Sequence, residues 1–319
     1  MDALIYSSYL ESPSGKPENL TRLLSAWANI NTGSHNTDGL AKFQAIIEDA
    51  FEELPVMVET IPLAPQESLC SNGRQYLPLG RAISIRKQLN TSLKVLLSIH
   101  YDTVYAADHP FQNCAMVDGN TLKGPGVADA KGGLIVLLEA LKLFELSPWN
   151  SRIGWEALIV PDEEIGSTGS TPLLLEAARR NNLALVFEPA LPDGSLVCSR
   201  NGSSVYSAII RGRSAHAGRD PGKGRNAIHA MANFIVQMRE AYAPHSGITL
   251  NVGEVSGGRA VNVVPDLAYF RFNIRTRNTA DQVIVDEVLQ NLKSELNNLE
   301  GFQIEFKVNS VRPPKVMDQ

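Results

Sequence analysis

An apolar run that ends on two adjacent carboxylates, Glu163 and Glu164, constrains this chain more than any other stretch: Ile159-Val-Pro-Asp-Glu-Glu-Ile-Gly-Ser-Thr-Gly-Ser170. The residues before the acids, Ala157-Leu-Ile-Val160, are continuous, apolar and closed by Pro161, the pattern of a parallel strand covered on both faces. In open α/β sheets, chemistry gathers where such strands end. Neighbouring side chains on extended backbone point to opposite sides, so Glu163 and Glu164 are set for different tasks, one at a metal and one at a proton. The plainer alternative is a solvated turn whose carboxylates favour the N-terminus of a helix opening at Thr171 and Pro172.

Two further apolar runs end the same way. Leu93-Lys-Val-Leu-Leu-Ser-Ile99 delivers His100-Tyr-Asp102, and Leu183-Ala-Leu-Val-Phe187 delivers Glu188. Residues two apart in a strand share a face, so Asp102 is placed to orient the His100 imidazole, as metal-binding histidines require. A chance pair at a strand end is the competing reading. Between these runs, Leu122-Lys-Gly-Pro-Gly-Val-Ala-Asp-Ala-Lys-Gly-Gly133 surrounds Asp129 with tight backbone, just before a segment (134–144) with the spacing of a buried helix. Asp129 is then either a ligand or a helix N-cap. A phosphate loop does not fit: Gly-x-x-x-x-Gly-Lys-Ser/Thr is absent, a central acid repels phosphate, and Lys131 does not change that.

The remaining chain fills in the frame. Residues 18–30 and 40–54 have helical spacing around a polar loop that holds His35, and 79–86 alternate like an outer strand. At 319 residues, two domains are expected, and 44% hydrophobic with 20% charged residues is ordinary globular composition. A net charge of −5 gives nucleic acid no basic footprint, and no apolar stretch is long enough for a bilayer. Cys70, Cys114 and Cys198 are odd in number and dispersed, which argues against a disulfide framework. With no leader pattern in residues 1–10, a cytoplasmic location is expected.

From Ser203 the pattern reads as strand, helix, strand, strand, helix, strand: 205–211 half-exposed, 226–241 amphipathic, then 248–255, 261–274, 281–299 and 302–308. That βαββαβ order predicts a ferredoxin-like insertion with one open sheet face, carrying Gly212-Arg-Ser-Ala-His-Ala-Gly218, Asn262 and Arg275.

His100, Asp129, Glu164 and Glu188 offer one imidazole and three carboxylates, a donor set for zinc or a similar divalent ion. Three carboxylates are excess charge for one ion; a pair roughly 3.5 to 4 Å apart would balance it.

Ser98-Ile-His-Tyr-Asp-Thr-Val104, Gly124-Pro-Gly-Val-Ala-Asp-Ala-Lys-Gly-Gly133, Pro161-Asp-Glu-Glu-Ile-Gly-Ser167 and Ser214-Ala-His-Ala-Gly218 together resemble the co-catalytic zinc peptidases and deacylases. That family includes glutamate carboxypeptidase, acetylornithine deacetylase, succinyl-diaminopimelate desuccinylase, aminoacylase and peptidase T. The resemblance runs from about Trp27 onward and is nearest the glutamate carboxypeptidase branch.

It implies an α/β catalytic domain, a largely parallel sheet with helices on both faces, at 1–200, and a lid and dimerisation domain at 201–311. It implies zinc, two ions in the family, with cobalt or manganese able to take its place. His100 would bind the first ion, Asp129 bridge both, Glu164 and Glu188 complete one each, and Asp102 orient His100. Glu163 would be the general base as metal-bound hydroxide attacks an N-acyl amino acid or small peptide with a free carboxylate. His216 would reach a partner subunit's site in a homodimer, with Asn262 and Arg275 contacting the substrate carboxylate.

Family members also carry a second metal-binding histidine in a closing segment. This sequence ends at Val311-Arg-Pro-Pro-Lys-Val-Met-Asp-Gln319, where 312–319 would begin the return to the catalytic domain, and His35, His109, His229 and His245 lie in none of the ligand motifs. Two expectations follow: an amide hydrolase, or a truncated or decayed relative with an incomplete second metal site.

Overall fold

Residues 17–70, 73–87 and 91–315 are described by the structure, a computed structural model. Residues 1–10, where no leader pattern was read, and residues 316–319 of the expected return segment lie outside the described residues.

In chain order come α1 (Pro17–Ala28), α2 (Thr37–Phe51), β1 (Met57–Pro62), β2 (Gln66–Cys70), β3 (Gly73–Leu77), β4 (Arg81–Lys87) and β5 (Leu93–His100). Next are β6 (Ala115–Asp118), β7 (Thr121–Lys123), α3 (Lys131–Leu146), β8 (Ile153–Val160), α4 (Thr171–Arg180) and β9 (Leu183–Val186). The last third contains β10 (Gly202–Arg211), α5 (Ala227–Tyr242), β11 (Ile248–Gly257), β12 (Leu267–Thr276), α6 (Thr279–Asn298) and β13 (Gln303–Arg312). The chain forms two units, one of residues 1–66 with 77–190, the other of 67–76 with 191–319.

The first unit is built on a five-stranded sheet in the order β1-β4-β8-β5-β9. Alternate residues of its strands feed two cores. Ile83, Ile85, Leu97, Ile99, Ala157 and Ile159 pack under α1, α2 and α3, while Ala82, Leu96, Leu158 and Val160 pack under α4 through Ala177. Helices therefore cover both faces, and the period of two along each strand assigns side chains to one core or the other.

The sheet is mixed. β5 is parallel to β8 and β9, but β4 pairs antiparallel with β1 and with β8. The expectation of a largely parallel sheet holds only for its β8-β5-β9 half. Residues 79–86 are not an outer strand: β4 lies inside the sheet, and Ala82, Ile83, Ser84 and Ile85 are all buried. The edge is β1, whose pattern in sequence is weak. At the other edge, the apolar strand β9 is exposed along its length.

The second unit has the strand order β11-β12-β10-β13, antiparallel throughout, with α5 and α6 on one face. The element order βαββαβ is the ferredoxin-like one. Its second face is open only in part: Leu69 of β2 packs against Ile209 and Tyr269, and Glu67 pairs with Arg74 and Lys307, while Arg271 and Arg275 on that face stay exposed. Cover on both sides explains why β10 is buried over most of its length rather than half-exposed. Residues 261–266 form a loop that leads into β12.

Leu69 is 2% exposed, so Leu69→Ala removes buried methyl groups and leaves a cavity. The expected cost is about 2 to 4 kcal/mol, read as a lower denaturant midpoint; a change under about 0.5 kcal/mol would show that the hairpin contributes no packing.

Candidate metal centre

β5 and β8 run parallel with His100 opposite Val160, so the two chains leave the sheet side by side. The Tyr101 N–H donates to the Val160 carbonyl at 2.9 Å, which carries the pairing one residue past the strand. Asp102 then turns inward, fully buried. Its carboxylate accepts from Ser34 Oγ at 2.7 Å, from the Glu163 N–H at 3.1 Å and from the Glu164 N–H at 3.2 Å. It also stands 3.2 Å from His100 Nδ1, while the Asp102 carbonyl lies 3.1 Å from the same nitrogen. The ring's other nitrogen is thereby aimed at the carboxylates: Nε2 lies 2.8 Å from Asp129 Oδ1 and 3.6 Å from Glu188 Oε2.

Asp129 does not cap α3. The N-cap position is Ala130, which makes no side-chain cap bond, and the Asp129 carboxylate goes to His100 instead. Nor do Glu163 and Glu164 cap α4. Asp162, fully buried one residue earlier, accepts from the Gly169 and Ser170 N–H groups at 2.8 and 3.1 Å and folds the turn back on itself.

The glycines that follow Asp129 serve close packing. A Cβ on Gly133 would lie 2.0 Å from the Phe187 carbonyl oxygen, so only glycine lets the start of α3 abut the segment that delivers Glu188. Lys131 points inward, its Nζ donating to the Trp27 and Ile30 carbonyls at 3.1 and 2.6 Å and standing 4.7 Å from the Phe43 ring centroid. Burial pulls this ammonium down to about 7. It is an internal tie, not a phosphate ligand.

His100, Asp129 and Glu164 each offer a ligand atom within 4.8 Å of the others, forming the single such group of three among the described residues. The electrostatics call for a cation there. Burial lowers the His100 pKa, yet hydrogen bonds that the ring donates to Asp102, Asp129 and Glu188 outweigh it and raise the imidazole to about 12. Burial, then the Asp129 charge, push the Glu164 carboxyl up to about 7, with Asp102 and Glu163 adding to the rise. A proton on His100 thus offsets part of the negative charge that a divalent ion would neutralise. One imidazole and hard carboxylate oxygens fit zinc, and His100, Asp129 and Glu164, with Glu188 beside His100, are the residues that would hold it.

Residues singled out elsewhere fall in different places. His109 lies in a turn where its Nδ1 accepts from the Phe111 N–H at 3.0 Å, outside the ligand group. In the second unit, His216 forms a bridge with Val263, the Ala217 N–H donates to the Asn262 carbonyl at 3.0 Å, and His216 Nδ1 accepts from the Gly218 and Arg219 N–H groups. Those two bonds leave Nε2 as the outward donor. His216 and Asn262 therefore share one end of the sheet. Arg275 does not join them: it pairs with Ser203 near the far end of β12, roughly 25 Å along the strand from Leu267. Ser34 and Asp162 went unread in the sequence. Lone polar residues in loops carry no periodic signal; only the buried Asp102 gives Ser34 its meaning.

Residues 198–301 match the peptidase dimerisation domain of the M20 type. The chain is 28% identical over 265 residues to carboxypeptidase G2 of Pseudomonas sp. (strain RS-16), an alignment covering 82% of this chain and 60% of that protein. It is 31% identical over 198 residues to acetylornithine deacetylase of Erwinia tasmaniensis, covering 57% and 50% respectively. The chain is thus similar to enzymes of the M20 peptidase type, in its dimerisation-domain segment and across most of its length. It spans about half to three fifths of the curated relatives it matches. Its fold is that of the M20 family metallo-carboxypeptidase Sso-CP2 from Sulfolobus solfataricus, with a TM-score of 0.68 and 15% identity over 92% of this chain and 78% of that one. No helix among the described residues is long and apolar enough to cross a membrane.

Two outcomes are expected for metal affinity. Asp102→Asn removes the charge that orients His100 and weakens zinc binding by about 10- to 100-fold in competition titrations; unchanged affinity would contradict that orienting role. Because metal displaces protons, the sign of the pH dependence is fixed. His100, raised to about 12, gives up one proton throughout the neutral range, and Glu164, raised to about 7, gives up another below that pH. Zinc affinity is expected to rise with pH, about a hundredfold per unit below pH 7 and about tenfold per unit above it. A single slope across pH 6 to 8 would contradict this.

Proposed function

We propose that the chain is a metal-dependent hydrolase cleaving the amide bond of an N-acyl amino acid or small peptide that bears a free carboxylate. The convergence of His100, Asp129 and Glu164 at strand ends, with Glu163 on the same turn as Glu164, carries this reading. Relatives named carboxypeptidase G2 and acetylornithine deacetylase support the substrate class.

A divalent ion bound by these residues would polarise the amide carbonyl and make a water nucleophilic near neutral pH. Glu163 accepts a proton from the attacking water and passes it to the leaving nitrogen, so the C–O bond forms, the C–N bond breaks, and acid and amine depart. Asp102 keeps His100 in one tautomer and holds the Glu163 backbone at a fixed distance from it. In the smaller domain, assigned to 201–311, His216 serves the site of a partner subunit in a homodimer by donating from Nε2 to the substrate carbonyl, and Asn262 contacts the substrate carboxylate. Arg275 suits bidentate binding of the substrate carboxylate. The match to a dimerisation domain supports the dimer. Free Cys70, Cys114 and Cys198 support a reducing, cytoplasmic setting.

A second reading, a relative that holds one ion and has lost turnover, is favoured by the one ligand group among the described residues, which includes neither His35, His109, His229 nor His245. Metal counting separates the two: near two zinc ions per chain with turnover supports the hydrolase, one or none without turnover supports the inactive form. For an active chain, Glu163→Gln is expected to lower kcat by about 10²- to 10⁴-fold at unchanged zinc content. Equal turnover by the variant would remove Glu163 from the proton transfer.

A further inference from the structure

Glu164 borders a cleft as well as the ligand group. Residues 33–36 after α1, residues 103–107 after β5 and the Glu164-Ile165 turn enclose about 440 Å³, lined on the apolar side by Val104, Ala106, Ala107 and Ile165. That is the size of a small-molecule subsite.

The walls are tied in place. The Thr103 N–H donates to the Thr32 carbonyl at 2.9 Å, and Asn31 Nδ2 reaches the Tyr105 and Ala106 carbonyls at 3.0 and 3.2 Å and Gln112 Oε1 at 2.9 Å. A Cβ on Gly33 would lie 2.4 Å from the Tyr105 carbonyl oxygen, so the two loops approach as closely as glycine alone permits. Thr103 lines the cleft, is 2% exposed, and its hydroxyl has no hydrogen-bond partner among the described residues.

Charge decides what fits. Of the lining residues only His35 and Glu164 titrate, and burial lowers the His35 pKa against the pull of Asp102. With no lysine or arginine in its walls and an apolar side of Val104, Ala106, Ala107 and Ile165, the cleft offers no cation to hold the carboxylate end of an N-acyl amino acid and favours the neutral end. We propose that this cleft is the subsite for the acyl group and takes up aliphatic acyl chains by burying their methylenes. The proposal rests on the amide-hydrolase reading and specifies which side of the scissile bond lies here.

The test separates the two. Binding of N-acetyl-, N-butanoyl- and N-hexanoyl-alanine to the zinc-supplied Glu163→Gln protein is measured by calorimetry. Affinity is expected to tighten by about fourfold per added methylene. Ala107→Trp in the same background fills the cleft from an exposed position, and is expected to flatten that gradient while keeping N-acetyl-alanine within about twofold. Affinity independent of chain length, no binding of any of the three, or an undiminished gradient in Ala107→Trp would overturn the proposal. Turnover of the same compounds by the unsubstituted protein reports separately on hydrolysis: a gradient without turnover keeps the subsite and rejects the hydrolase, and turnover without a gradient does the reverse.

Discussion

The buried carboxylate of Asp102 is the interaction on which the first unit's chemistry depends. It gathers a hydroxyl from the loop after α1, two backbone N–H groups from the turn after β8, and the imidazole at the end of β5. Three segments remote in sequence are thereby fixed to one pair of oxygen atoms. A buried charge is tolerated only when its lone pairs are satisfied, and the partners of Asp102 meet that condition. The same charge holds His100 in its protonated form when no cation is bound, so the orienting group is also part of the site's electrostatic demand.

That demand follows from topology. Parallel β5 and β8 end in register, and the segment after β9 reaches the same edge because glycine lets α3 approach it. Strand ends deliver His100, Glu164 and Glu188 from three directions, and the helix start delivers Asp129. Burial first, and then the nearby Asp129 charge, raise the pKa of Glu164 unless a cation intervenes.

Much of this convergence is legible in the sequence because each of these four residues follows an apolar run or a glycine-rich turn, and those leave strong marks. The βαββαβ order of the smaller unit was legible for the same reason. What failed was whatever depended on a neighbour. β4 was misjudged as an outer strand because β1 beside it carries little alternation, and β9 reads as a buried strand although it is an edge. Lys131 shows the limit plainly: its sequence setting argues against a phosphate loop but gives it no role, and only the packed position of Trp27, Ile30 and Phe43 shows it turned inward as a tie. Asn262 and Arg275, which the family likeness assigns to the substrate carboxylate, lie at opposite ends of β12 within one chain, a separation that no sequence pattern states.

The hairpin of β2 and β3 carries a further consequence. The chain enters the smaller unit twice, at 67–76 and again from 191 onward, so that body is discontinuous in sequence. The span that matches the dimerisation domain, 198–301, contains neither Leu69 nor β13. Excised alone it would lack an outer strand and would bare Ile209 and Tyr269 to water. The module recognisable by likeness is smaller than the body that can close its own hydrophobic surfaces, and transplanting it intact requires both pieces.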